Sequence, residues 1–176
     1  MKKIITTVAL TVSLMFGANA QQGEILGGVN LGYMLPTGKF GDDVDAGIGY
    51  GVSGKYFLTD NITAGLNANY FSLALKSASS YSISSTQFHL SGDYFFMTDE
   101  IRPYAGIDFG LTQFKAESFG AEAKENYLSY GVGGGLMYFF NDNFAGNGMV
   151  RYNSINSSGD AANYLSVGLG VTYKID

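Results

Sequence analysis

The stretch Tyr127-Leu128-Ser129-Tyr130-Gly131-Val132-Gly133-Gly134-Gly135-Leu136-Met137-Tyr138-Phe139-Phe140-Asn141-Asp142-Asn143 decides how this chain folds. Leu128, Tyr130, Val132, Leu136, Tyr138 and Phe140 fall on one side of a period-two pattern, and Ser129, Gly131, Gly133 and Gly135 on the other. Successive side chains of a β-strand point to opposite faces, so this is a strand with one bulky apolar face and one small or polar face. It stops at Asn141-Asp142-Asn143, a tight-turn composition.

The same stop recurs. Tyr56-Phe57-Leu58-Thr59-Asp60-Asn61 and Tyr94-Phe95-Phe96-Met97-Thr98-Asp99 are near copies of Tyr138 to Asn143, and an Ala-Gly pair follows each: Ala64-Gly65, Ala105-Gly106, Ala145-Gly146. A fourth strand runs into Tyr173-Lys174-Ile175-Asp176. A regular repeat is one supersecondary unit used several times, here a strand, a polar turn and a strand. Alternation predicts eight strands, over about 24–35, 46–58, 62–73, 84–96, 102–114, 127–140, 144–155 and 163–175.

The small, polar faces cannot make a dry core, and eight apolar stripes facing water would aggregate. Reversed, the conflict disappears: apolar stripes meet lipid and the small polar set fills the interior. A sheet in lipid must close, because each unpaired backbone group there costs several kcal/mol. The expected fold is all-β, an eight-stranded antiparallel up-and-down transmembrane β-barrel, the narrowest common size.

Charge placement agrees. Glu24, Lys55, His89, Asp93, Arg102, Asp108, Arg151 and Lys174 all fall on the Gly/Ser/Asn faces. They form a candidate interior network: a charged eyelet for ions on one reading, a self-neutralising plug on the favoured one, since buried charges must pair. Glu24 and Lys174 are expected to be neighbours where strands 1 and 8 close the ring. A cation such as Arg102 or Arg151 is expected between Asp93 and Asp108. Tyr56, Tyr94, Tyr138 and Tyr173 are expected to form the periplasmic aromatic girdle, with Tyr33, Tyr50, Tyr70, Tyr130 and Tyr152 contributing to the outer one. Connections near Asp60, Asp99 and Asp142 read as short periplasmic turns. Those over 36–45, 72–84, 115–126 and 156–162 read as longer outer loops.

The first twenty residues read differently. Met1-Lys2-Lys3, an apolar run over 4–17 and Ala18-Asn19-Ala20 make a secretory signal peptide, cut after Ala20. The run is short for an uncleaved span, which needs about 20 apolar residues. Residues 1–20 are thus an export signal and 21–176 one barrel domain, exported to the cell outer membrane. Losing Lys2 and Lys3 takes the net charge from −5 to −7. An acidic exported chain with two arginines is a poor nucleic-acid binder. The absence of cysteine excludes disulfides and thiolate metal sites.

Gly28-Val29-Asn30-Leu31-Gly32-Tyr33, Arg102-Pro103-Tyr104-Ala105-Gly106, Gly131-Val132-Gly133-Gly134-Gly135-Leu136 and Gly168-Leu169-Gly170-Val171-Thr172-Tyr173 resemble the small outer-membrane β-barrel family of Gram-negative bacteria, of the OmpX and OmpA-barrel type and the porin-family proteins of Bacteroidetes. The chain departs from that family in ending Lys174-Ile175-Asp176 where many members end in an aromatic residue. The resemblance implies contact with outer-membrane lipid and lipopolysaccharide, handling by the barrel assembly machinery, a monomer, and possible extracellular partners of the loops. It implies no cofactor.

His89-Leu90-Ser91 is similar to the His-x-Ser pair of lipid A deacylase barrels. Such a pair must face lipid, and here Phe88 and Leu90 do, leaving His89 and Ser91 inside. The expectation is a structural histidine bonded to neighbours such as Asp93, and no catalytic residue. Asp42, Asp43 and Asp45 could ligate a divalent cation but read better as a solvated loop. The expected role is structural or surface contact of the adhesion type, without catalysis; the alternative is a narrow pore or hydrophobic-solute channel.

Overall fold

The computed structural model describes residues 23–76, 82–118, 121–156 and 162–175. The expected signal peptide lies outside these residues, as do 77–81, 119–120, 157–161 and Asp176. The strands are β1 (Ile25–Thr37), β2 (Val44–Phe57), β3 (Ile62–Leu75), β4 (Ser82–Phe95), β5 (Ile101–Ser118), β6 (Ala121–Phe139), β7 (Phe144–Asn156) and β8 (Ala162–Ile175), and a short helix, α1 (Lys39–Asp43), links β1 to β2. Each strand pairs antiparallel with the next, and β8 returns to β1 in unbroken register from Ile25 opposite Ile175 to Thr37 opposite Asn163. Closure gives the backbone groups along that seam partners, which a bilayer would not supply.

The wall is inside out relative to a soluble sheet. Leu66, Val132 and Leu169 are 65%, 58% and 72% exposed, whereas Lys55 and Arg151 are buried at 7% and 9%. The apolar stripes therefore form the outer surface on every strand, including Val29, Tyr50, Phe88, Ile107 and Tyr152.

One end of the barrel, the turn end, gathers the three repeated turns. Gly23 N donates to Phe57 O at 3.0 Å and Lys174 N donates to Asn143 O at 2.7 Å, so both ends of the described chain sit beside them. The repeat has a local cause. Thr59 Oγ1 accepts from the backbone N–H groups of Asn61 and Ile62, and Asn141 Oδ1 accepts from those of Asn143 and Phe144. In each case a short polar side chain satisfies the donors that the turn withdraws from the ladder.

The far end differs from expectation. Strands continue where loops are predicted: β5 runs on to Ser118 and β6 begins at Ala121, with Lys115 opposite Lys124, β3 reaches Leu75 and β4 begins at Ser82, and α1 occupies the middle of 36–45. Ser, Ala, Asn and Lys interrupt the apolar pattern there, but strand pairing already started propagates without it.

A second correction concerns the interior, which is not simply small and polar. Leu26, Phe57, Phe95, Tyr104, Met137 and Ala145 pack inside the turn end with Phe139 against them; Met34, Val44, Phe71, Leu73, Ile155 and Tyr164 pack inside the far end. The reason is parity. Where a strand ends Tyr-Phe, the tyrosine faces out and the phenylalanine faces in, as Tyr56 and Phe57 or Tyr94 and Phe95 do. Phe57 and Phe95 meet at 5.6 Å between ring centroids, and Phe95 and Tyr104 at 5.2 Å. Apolar plugs close both ends around a polar middle.

Candidate functional site: the polar middle of the barrel

Long polar side chains span this interior by passing over glycines. Arg151 on β7, Gly133 on β6, Gly106 on β5 and Asp93 on β4 lie in one cross-strand row. A Cβ at Gly133 would stand 2.6 Å from Arg151 Cγ, and one at Gly106 would stand 2.1 Å from Asp93 Oδ1. The two missing side chains are the space through which Arg151 Nη2 donates to Asp93 Oδ1 at 2.6 Å. Arg151 Nη1 donates to Asp108 Oδ2 at 2.8 Å, and Lys55 Nζ donates to Asp93 Oδ2 at 2.6 Å. Gly65, between Lys55 and Ser91 in the register, has Lys55 Cγ 3.1 Å from a built Cβ. Two cations and two carboxylates balance in the middle of the barrel, as buried charges must.

His89 reaches Ser129 in the same way, over Gly110, with Nε2 and Oγ at 2.7 Å. Its Nδ1 lies 3.3 Å from Asp108 Oδ1, an electrostatic approach too poorly aligned to hydrogen-bond that oxygen. The histidine's neighbours are thus Ser129 and Asp108, not Asp93. The register explains this: Asp93 lies four residues along β4 and is taken by Lys55 and Arg151, while Gly110 opens the way to β6. Ser91 is apart from His89 and accepts from Asn67 Nδ2 at 3.0 Å. Asp108, His89 and Ser129 follow the order of a hydrolytic triad, but Ser129 is fully buried and its hydroxyl also bonds Thr112 Oγ1 at 2.8 Å. A nucleophile must reach a substrate carbonyl, and a sealed serine does not.

The remaining charges lie at the turn end. Lys174 Nζ and Glu24 Oε1 meet at 3.2 Å, both partly exposed. Arg102 is not between Asp93 and Asp108; Arg151 takes that place. Arg102 lies at the turn mouth, its Nε donating to Asp99 O at 2.7 Å and its guanidinium carbon 4.0 Å from the Phe139 ring centroid. Tyr56, Tyr94, Tyr138 and Tyr173 ring the outside at that level, backed by Phe96, Phe140 and Phe144 at 4.9–5.5 Å between ring centroids. Asp42, Asp43 and Asp45 are exposed. Among the described residues no group of three or more His, Cys, Asp or Glu is placed to hold a metal ion.

Open space in the middle amounts to about 50 Å³, bordered by Asn30, Lys55, Asn67, His89, Asp108 and Arg151. A single water needs about 10–15 Å³ on this measure, so the chamber suits a few waters.

The family model described as "Outer membrane protein beta-barrel domain" matches residues 8–174. Among solved structures, Neisserial surface protein A has a TM-score of 0.72 at 19% identity, over 88% of this chain and 100% of that one. The attachment invasion locus protein Ail of Yersinia pestis gives 0.62 at 14%, over 88% and 99%. The N-terminal β-barrel domain of Pseudomonas aeruginosa OprF gives 0.60 at 18%, over 88% and 98%. A comparison with curated protein sequences finds no match. At these identities the structural likenesses show the fold alone.

Proposed function

The chain belongs to the outer membrane protein beta-barrel domain family, and from that premise we propose that it works at the cell surface, by structural support or adhesion-type contact, without catalysis. One observation carries this reading. The interior is closed by an apolar plug at each end, with a charge-balanced middle holding a chamber of about 50 Å³. A plugged barrel offers its outside and its connections, not its lumen. The attachment invasion locus protein and Neisserial surface protein A, both similar in fold, carry names that point to attachment and to the cell surface. The Yersinia protein also appears with the heparin analogue sucrose octasulfate. A polyanion is not carried over to this chain, because Asp42, Asp43 and Asp45 are exposed at its far end.

The barrel sits in outer-membrane lipid with lipopolysaccharide around its far end, reaches it through the barrel assembly machinery after signal-peptide cleavage, and acts as a monomer with an extracellular partner. Planar-bilayer recording tests the core of this reading. Purified protein should insert without steady current; reproducible single-channel steps would favour the narrow pore. Cells carrying the chain should bind partner-coated surfaces better than cells lacking it.

A further inference from the structure

The far mouth is roofed by the chain itself. α1 follows β1 at Gly38 and lays the Phe40 ring edge-on against Phe114 of β5, with 5.7 Å between ring centroids and 68° between planes. In a closed ring of eight strands β5 stands opposite β1, so α1 reaches across the opening and not along its rim. Lys76, just past the end of β3, holds it from the side: its Nζ donates to Gly41 O at 2.5 Å and its backbone N donates to Asp43 O at 3.1 Å. Phe40 packs on the far-end plug, as Leu75, Ile83, Phe114, Tyr127 and Ala162 do, while Lys39, Asp42 and Asp43 are exposed. We propose that α1 is a lid, hinged at Gly38, over an apolar site for an aromatic side chain of an extracellular partner, and that Phe40 is the built-in occupant of that site. The outward placement of this end rests on the surface role proposed above; the lid itself does not depend on it.

α1 is built to move. Five residues are little more than one helical turn, far short of the roughly 12–15 that hold a helix alone in water, so α1 keeps its shape by docking. No residue of it is fully buried, and no side chain caps its first turn. Gly38 has φ 58° and ψ −146°, a region that glycine enters at little cost and other residues do not. A Cβ there would meet nothing within 4 Å, so a side chain at this position strains the docked backbone without clashing with a neighbour.

Swinging α1 away leaves the barrel whole. Met34, Phe71 and Tyr164 lie buried below it on strands whose pairing does not involve α1. What opens is the place of one aromatic ring beside Phe114, and the group that refills it best is another such ring, set edge to face. Because Phe40 competes from within the chain, a partner sees an affinity lowered to the fraction of molecules in which the site stands open.

The test uses the isotope-labelled folded barrel in lipid nanodiscs. The amides of Gly41, Asp42 and Lys76, bonded to Gly38 O and Asp43 O, should exchange with deuterium faster than those of β1 and β2, and faster still in Gly38→Ala. Titration with N-acetylphenylalanine amide should shift the Phe114 and Tyr127 amides saturably, about tenfold more tightly in Phe40→Ala than in the wild type. N-acetylalanine amide should produce no such shift. Both variants should keep the gel migration of the folded barrel. Lid amides as slow as those of β1, or unmoved by Gly38→Ala, would overturn the hinge. No saturable shift in Phe40→Ala, or equal binding of the alanine probe, would overturn the aromatic site. Neither result bears on the bilayer recording, which tests the surface role separately.

Discussion

Arg151 on β7 and Asp93 on β4 are bonded at 2.6 Å although β5 and β6 lie between them. The contact skips two strands because Gly133 and Gly106 leave the inner wall bare along its path. It ties opposite parts of the ring together, which neighbour-to-neighbour ladder bonds do not.

Replacing Arg151 with leucine should therefore destabilise the barrel by about 3–5 kcal/mol, because Asp93 and Asp108 lose a shared cation in a buried setting. Gly106→Val should also be severe, since its Cβ would fall 2.1 Å from Asp93 Oδ1. Equilibrium unfolding in lipid vesicles measures both. Wild-type stability in either variant would show that the skipped-strand pair is not structural.

The outer wall predicts the opposite sensitivity to charge. Leu66→Arg or Val132→Arg, at mid-strand on the lipid side, should cost about 2–4 kcal/mol. Phe144→Arg, at the turn end beside Tyr173, should cost about 1 kcal/mol or less. Denaturant midpoints that rank these variants the other way would contradict the membrane placement.

Thr59→Ala and Asn141→Ala should each cost about 1 kcal/mol, for the lost acceptor of two backbone donors. Their near-equal loss would show that the turn copies are physical equivalents and not merely similar spellings. The same unfolding assay reads it.

His89→Leu should destabilise by about 1–3 kcal/mol, since it strips the buried Ser129 hydroxyl of a partner. Ser91→Ala should be milder, because it removes one partly buried bond from Asn67. Mass spectrometry of lipid A from cells carrying either variant should match wild type. A change in acyl-chain number would revive the catalytic reading.

Much of this was legible from alternation alone. Leu66, Val132 and Leu169 could be placed outside, and Lys55 and Arg151 inside, from period-two parity with the cost of charge in lipid. The proximity of Glu24 and Lys174 followed from ring closure. Three things were not legible. Phe57 and Phe95 sit beside tyrosines that mark the girdle, and the pair reads as one aromatic unit until parity is applied within it. The partners of His89 and Arg151 depend on which glycine opens a path to which strand. That is a property of inter-strand register, which the sequence of one strand does not carry. The far-end hairpin was missed because Lys115 opposite Lys124 looks unlike a strand pair.

The glycine rows set the terms on which this chain can drift. A methyl at 133 would stand 2.3 Å from Val150 O and 2.6 Å from Arg151 Cα, and one at 106 would stand 2.7 Å from Gly92 O as well as 2.1 Å from Asp93 Oδ1, so trimming a side chain frees neither position. Related barrels should therefore keep these two sites bare while the greasy exterior varies one residue at a time.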